Sequence, residues 1–173
     1  PLHRASKEAA QLLLSRVYLY MQDWHNAALT AEELLKEDTR LYHMSARDSA
    51  RIFLSEDNTE VLFSQGSMNF YNGMTGTRGD FEVSDSLVQL YDQENASRRY
   101  FFGKNQSTSA NSLQWKYDTI AVPHVSDIYT LRIAEGYLNL AEAYAMEDNF
   151  QGANQYLRLL RESRIRNYVH TTY

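Results

Sequence analysis

Apolar residues recur with a helical period at both ends of the chain and lose that period in the middle. From Ala5 to Met21 the series Ala10, Leu13, Leu14, Val17, Tyr20 and Met21 follows the i, i+3, i+4, i+7 rule, which predicts a helix with one wide apolar face. Asp23 reads as the N-cap of a second helix, Trp24 to about Lys36, because its carboxylate suits the orphan N–H groups of a first turn. Ala27, Ala28, Ala31, Leu34 and Leu35 form the stripe of that helix. In the C-terminal third, Ser126 or Asp127 is placed to cap a helix running to about Met146, with Leu131, Ala134, Leu138, Ala141 and Ala145 on one side. Asn149 then caps a last helix that begins at Phe150 and carries Ala153, Tyr156, Leu157 and Leu160.

The two ends are versions of one design. An offset of 126 pairs Leu12 with Leu138, Leu14 with Leu140, Tyr18 with Tyr144, Asp23 with Asn149, Trp24 with Phe150, Ala27 with Ala153 and Leu34 with Leu160. Each unit has a helix with small residues and Tyr, a tight polar turn, an aromatic that opens the second helix, and an Ala three residues on. This is the physics of a tetratricopeptide hairpin, although the Trp and Gly of the full 34-residue signature are absent.

Between the hairpins, Ser45 with Asp48 resembles a capping box for a short helix reaching Leu54, and Ser84 with Asp85 predicts another from Ser86 to about Gln93. Thr59 to Gln65, Arg98 to Lys104 and Gln114 to Ile120 are rich in β-branched and aromatic residues and read as short strands. Gly66 to Asp80 and Asn105 to Ser112 read as loop. The expected fold is mainly α, with tetratricopeptide-like helical hairpins, irregular loops and a few short strands. It divides a single region, 1–173, into a first hairpin (5–37), an irregular insert holding a candidate ligand loop (38–125) and a second hairpin (126–165).

Composition narrows the function. The 173 residues are 43% hydrophobic, enough for one core, and 17 Lys+Arg against 22 Asp+Glu give a net charge of −5, which argues against a phosphate-backbone binder. No cysteine is present, so thiolate catalysis, Cys-ligated metals and disulfides are excluded. No run approaches the length of a membrane-spanning helix. The chain opens at Pro1 without an initiator Met or a basic-then-apolar leader, and is expected to be an excised or processed piece. His3, His25, His43, His124 and His170 are scattered without metal-ligand spacing, and no Gly-rich phosphate cradle occurs. No metal or cofactor is expected.

Three segments resemble the SusD/RagB family of bacterial outer-membrane nutrient-binding lipoproteins. They are ASKEAAQLLLSRVYLYMQDWHNAALTAEELL, NTEVLFSQ and DIYTLRIAEGYLNLAEAY. In the last, Leu131-Arg132-x-Ala134-Glu135 followed by Tyr137-Leu138-x-x-Ala141-Glu142-Ala143 is the most specific. Ser84 to Leu87 through Asp92, then Ser97-Arg98-Arg99, also resembles the family in order and spacing. The resemblance covers nearly the whole chain but only the middle of a typical member. It implies a SusD-like α-helical scaffold that is not an enzyme, captures a glycan at the surface of the outer membrane, and sits as a lid on a SusC-like TonB-dependent transporter. Any lipid anchor would lie outside these residues. The alternative is a tetratricopeptide-like adaptor for a protein or peptide.

Two sets of residues are candidates for the chemistry. Arg132, Glu135 and Glu142 carry the hallmark. Their spacing places Arg132 and Glu135 on one helix face, with Glu142 two turns on, as a structural ion-pair ladder rather than a catalytic carboxylate pair across a cleft. Thirteen Tyr, seven Phe and two Trp make aromatics the unusual feature of the composition. Those at helical positions read as core. Phe70 and Tyr71, bracketed by Asn69 and Asn72, combine flat apolar faces with amide donors and acceptors, which is what a pyranose ring requires. Trp115 is a second candidate for sugar contact.

Overall fold

The computed structural model describes residues 4–37, 40–43, 58–66, 83–90, 102–104, 111–113, 127–165 and 168. In chain order the elements are α1 (Lys7–Tyr20), α2 (Trp24–Glu37), β1 (Val61–Gly66), α3 (Asp85–Gln89), β2 (Phe102–Lys104), β3 (Asn111–Leu113), β4 (Asp127–Arg132), α4 (Ile133–Met146) and α5 (Phe150–Arg164). Helix α1 packs on α2, α2 on α4 and α4 on α5, so two antiparallel hairpins stack side by side. The expected tetratricopeptide-like α architecture is the one observed. The expected capping box at Ser45 and helix to Leu54 lie outside the described residues.

Each hairpin turns in the same way, and the offset of 126 holds bond for bond. Asp23 N–H donates to Tyr18 O at 2.9 Å and Gln22 N–H to Leu19 O at 3.0 Å; Asn149 N–H donates to Tyr144 O at 2.8 Å and Asp148 N–H to Ala145 O at 3.2 Å. These are the paired bonds of a Schellman motif, which closes a helix through one left-handed residue. That residue is Gln22 (φ 59°) in the first turn and Asp148 (φ 61°) in the second. The next residue caps the following helix: Asp23 Oδ1 accepts Asn26 N–H at 3.3 Å, and Asn149 Oδ1 accepts Gly152 N–H at 3.0 Å. A side chain costs roughly 1–2 kcal/mol in the left-handed region, offset in part by the larger unfolded-state entropy of Gly. Gln22→Gly is therefore expected to stabilise the protein by about 0.5–1 kcal/mol, read as a rise in the denaturation midpoint at unchanged slope.

The faces of the first helices do not repeat. In α1 the stripe Ala10, Leu13, Leu14, Val17, Tyr20 and Met21 faces solvent, its five large side chains between 43% and 85% exposed, while Ala9, Leu12 and Ser15 are buried. The expected apolar face is thus the outer one. Small residues decide this: Ser15 and Ala9 let α1 approach its neighbours closely, and Ser15 Oγ accepts a 2.8 Å bond from Asn139 Nδ2 of α4 while donating to Leu12 O. In α4, Ile133, Ala134, Tyr137, Leu140, Ala141 and Ala143 are buried and Leu138 is exposed. Leu12 is buried where its counterpart Leu138 is not, and Leu140 is buried where Leu14 is not, because α4 is flanked by α1, α2 and α5 whereas α1 meets α2 and α4. The second helices match expectation more closely: all five stripe residues of α2 are buried, as is Ala153 in α5.

The helix expected to be capped by Ser126 or Asp127 begins instead at Ile133. Residues Asp127–Arg132 form β4, antiparallel to β1, with Ser64 opposite Thr130 and Val61 opposite Arg132. β-branched and aromatic residues in Ile128-Tyr129-Thr130 suit a strand, and a partner strand distant in sequence overrides the helical spacing. The strand runs straight into α4, with Arg132 in the N-cap position and no side-chain cap. Elsewhere Ser84 Oγ caps the short α3 by accepting Leu87 N–H at 3.2 Å. Residues 111–113, the first two expected to be loop and Leu113 not assigned to a strand, pair as β3 with β2.

Candidate functional site

The described residues present one convergence of charge, and it is built around Glu60. The turn at Asn58 sets it up: Asn58 Oδ1 accepts Glu60 N–H at 2.9 Å and Asn58 O accepts Val61 N–H at 3.1 Å, which aims the Glu60 side chain inward at the start of β1. Glu60 is fully buried, 0% exposed. Its Oε1 accepts from Tyr42 N–H at 2.7 Å and from Arg164 Nη2 at 2.5 Å, while Oε2 lies 3.8 Å from Arg132 Nη1. Arg164 Nη1 also donates to Tyr42 O at 2.6 Å and to Ser163 Oγ at 3.0 Å. Glu60 O accepts Ile133 N–H at 2.9 Å, an orphan donor of the first turn of α4. One residue thus holds residues 40–43, the β4–α4 junction and the end of α5.

A second ion pair joins the first helices of the two hairpins. Arg16 Nε and Nη2 donate to Glu135 Oε1 and Oε2 at 2.6 and 2.7 Å, a bidentate fork, and this bond to Glu135 raises the Arg16 pKa. The ladder expected along α4 therefore does not form. Arg132 stands on β4 facing Glu60, Glu135 turns to Arg16, and Glu142 is exposed with no ion-pair partner among the described residues. Spacing within one helix carries no information about a partner 119 residues away. A third link is Tyr144 Oη donating to Glu32 Oε1 beside Tyr156, whose ring centroid lies 5.9 Å from that of Tyr144. Burial and, next, the Glu32 bond push the Tyr144 phenol well above its usual pKa; burial and then Glu32 raise Tyr156. Gly152 is required here, since a Cβ would stand 2.6 Å from Tyr144 Cδ2.

Glu60 and Glu135 are bonded by guanidinium groups and Glu32 by a phenol, an arrangement that suits fixing elements to one another. No group of three or more potential metal ligands occurs among the described residues, and no described helix is long and apolar enough to cross a membrane. The candidate sugar contacts Asn69, Phe70, Tyr71, Asn72 and Trp115 lie outside the described residues. They enter the chain just after β1, which ends at Gly66, and just after β3, which ends at Leu113. In the sequence Glu60, Arg16 and Asn139 stand out only as members of the segments NTEVLFSQ, ASKEAAQLLLSRVYLYMQDWHNAALTAEELL and DIYTLRIAEGYLNLAEAY, and Tyr42 and Arg164 lie outside all three. The available signals were an acid leading directly into an apolar strand and an Asn amid the small apolar residues of α4.

No family model matches the sequence, and no curated protein matches it. Solved structures do. A SusD-like carbohydrate binding protein from Bacteroides vulgatus superposes on all of this chain with a TM-score of 0.77 at 23% identity, the match covering 40% of that protein. A SusD superfamily protein from Bacteroides thetaiotaomicron matches 96% of the chain at 0.71 and 22% identity, covering 43% of its own length. A SusD-like protein from Bacteroides fragilis matches 98% at 0.66 and 20% identity, covering 49%. The chain thus spans less than half the length of each of these structures. At this level of identity the likeness is one of fold: the chain has the SusD-like fold.

Proposed function

We propose that this chain forms part of a nonenzymatic, SusD-type carbohydrate-capture protein. It holds an oligosaccharide at the outer surface of a bacterial outer membrane and passes it to a SusC-like TonB-dependent transporter. The observation that carries the reading is the superposition of the whole chain on a SusD-like carbohydrate binding protein at a TM-score of 0.77. Capture uses no covalent chemistry. Aromatic side chains at Phe70, Tyr71 and Trp115 stack on the C–H faces of sugar rings, and Asn69 and Asn72 bond to hydroxyls. Binding to an array of plant, host and microbial polysaccharides tests this. One glycan class is expected to bind without product release, and Tyr71→Ala to weaken it about tenfold, the effect of losing roughly 1.4 kcal/mol of stacking. Unchanged affinity in both Tyr71→Ala and Trp115→Ala removes these residues from the site.

The outward apolar face of α1 favours a second reading, a helical adaptor that binds a polypeptide through Leu13, Leu14, Val17, Tyr20 and Met21. In that case no glycan binds, and Val17→Glu abolishes capture of the partner while leaving the helical signal intact.

A further inference from the structure

The repeat at an offset of 126 gives each surface of α4 a counterpart on α1, and one of these counterparts is exposed. Helix α2 packs on α4, with Leu34 against Gly136 and Glu32 bonded to Tyr144. The covered face of α4 therefore runs from Gly136 through Leu140 and Ala143, one helical stripe at i, i+4 and i+7, and all three residues are buried. Subtracting 126 gives Ala10, Leu14 and Val17. Ala10 is exposed, Leu14 is 44% exposed and Val17 43%. Among the described residues no helix stands on α1 as α2 stands on α4. The two ends of the stack also differ in what they show to solvent. A helix that closes such a stack carries a polar outer face. On α5 the counterparts of Glu32 and Leu35 are Arg158 and Arg161, both exposed, and Arg158 pairs with Glu162 at 3.5 Å. On α1 the exposed Leu13, Tyr20 and Met21 extend the stripe of Leu14 and Val17 with further apolar side chains.

We propose that this face of α1 seats the second helix of a further hairpin, carried by the same polypeptide outside these 173 residues, which stacks on α1 as α2 stacks on α4. The occupant is a helix with an Ala/Leu stripe. Its Leu enters over Ala10, the small residue that holds the place of Gly136, and an acid two positions before that Leu bonds Tyr18, the counterpart of Tyr144. Length supports the same polypeptide as the source: this chain covers 40%, 43% and 49% of the solved SusD-like structures, so each has more than half its length beyond the match. A second copy is a poor occupant. Its own Ala/Leu helix, α2, is already buried on α4, and its open end, α5, brings Arg158 and Arg161 to an apolar face. The seat follows from the hairpin repeat, does not depend on sugar capture, and competes with a separate polypeptide for the same side chains.

The protein purified as a single polypeptide from its own cell tests this, with Val17→Cys as a near-isosteric probe in a stretch that has no native cysteine. Alkylation of that thiol, read by peptide mapping, is expected to be on the order of 100-fold slower than in denaturant at every protein concentration, because α1 has to part from its neighbour before reagent enters. Ala10→Leu in the same background fills the space the incoming Leu requires and is expected to speed alkylation about tenfold, whereas on an open surface it changes nothing. Leu14→Cys takes the place of Val17→Cys if the latter is not recovered folded. Alkylation of both thiols within about threefold of the denatured rate overturns the proposal and leaves the face free for a separate polypeptide. Protection that fades on dilution, as a dimer mass falls to that of the monomer, overturns it in favour of a second copy.

Discussion

Leu34→Ala is expected to lower stability by about 3–5 kcal/mol, the upper part of the range for a buried Leu, measured by denaturant unfolding followed by circular dichroism. Leu34 is fully buried at the centre of the hairpin stack, where α2 meets α4. Opposite it stands Gly136: a Cβ there would lie 2.9 Å from Leu34 Cδ2 and 3.8 Å from Leu12 Cδ1. Gly136 therefore lets the Leu34 branch lie against the backbone of α4, and the cavity left by truncation is lined by a helix backbone that cannot fold into it. This makes the sign of a second change depend on the first. In the native protein Gly136→Ala meets Leu34, so overpacking offsets the roughly 1 kcal/mol by which Ala exceeds Gly as a helix former. In Leu34→Ala the same methyl enters open space and is expected to restore about 1–2 kcal/mol. A double-mutant cycle with coupling below about 0.5 kcal/mol would show that the two positions do not share this space.

What could be read from the sequence was local. Ser84, Asp23 and Asn149 were recognisable as caps because a cap is chosen by bonds within three residues; Ser6, whose Oγ accepts Ala9 N–H at 3.1 Å, is a cap of the same kind that the sequence reading did not single out. The repeat at an offset of 126 was visible for the same reason, since Tyr18 and Tyr144, or Asp23 and Asn149, occupy identical turns. What was not legible depended on distant partners. Helix α1 carries apolar residues on two sides, and periodicity selects the larger stripe; which side is buried is decided by Asn139 and Glu135 on α4, which accommodate Ser15 and Arg16. Asp127 to Arg132 has spacing compatible with a helix and becomes a strand because Val61 to Gly66 lies beside it. The SusD-like likeness arose from motifs that combine both kinds of information, and NTEVLFSQ and the Leu131 to Ala143 hallmark meet where Glu60 touches Arg132 and Ile133. The candidate sugar contacts rest on residue type alone, at Asn69 to Asn72 and Trp115.

Arg164→Ala is the second change with a large expected effect, a loss of about 3–5 kcal/mol, because it strands a buried charge rather than because the ion pair is itself worth that much. Arg164 is 8% exposed, and its guanidinium bonds Glu60 Oε1 through Nη2 while Nη1 serves Tyr42 O and Ser163 Oγ. Removing it leaves the fully buried Glu60 with Tyr42 N–H on the same oxygen and Arg132 Nη1 3.8 Å away from the other. Lysine is a poor substitute here. Its single ammonium cannot occupy both Nη positions of the planar fork, so Arg164→Lys is expected to recover only part of the loss despite keeping the charge. Replacing both charges separates the two causes. If uncompensated burial dominates, Glu60→Met with Arg164→Met is expected to be more stable than Arg164→Ala by more than about 1 kcal/mol, even though it restores none of the native bonds. If instead the bond from Arg164 Nη1 to Tyr42 O dominates, the double variant is no more stable than the single one, because that bond is lost in both and the double variant also loses the bond from Tyr42 N–H to Glu60 Oε1. Unfolding midpoints of the three variants against the native protein decide between these, provided the denaturant slope is unchanged among them.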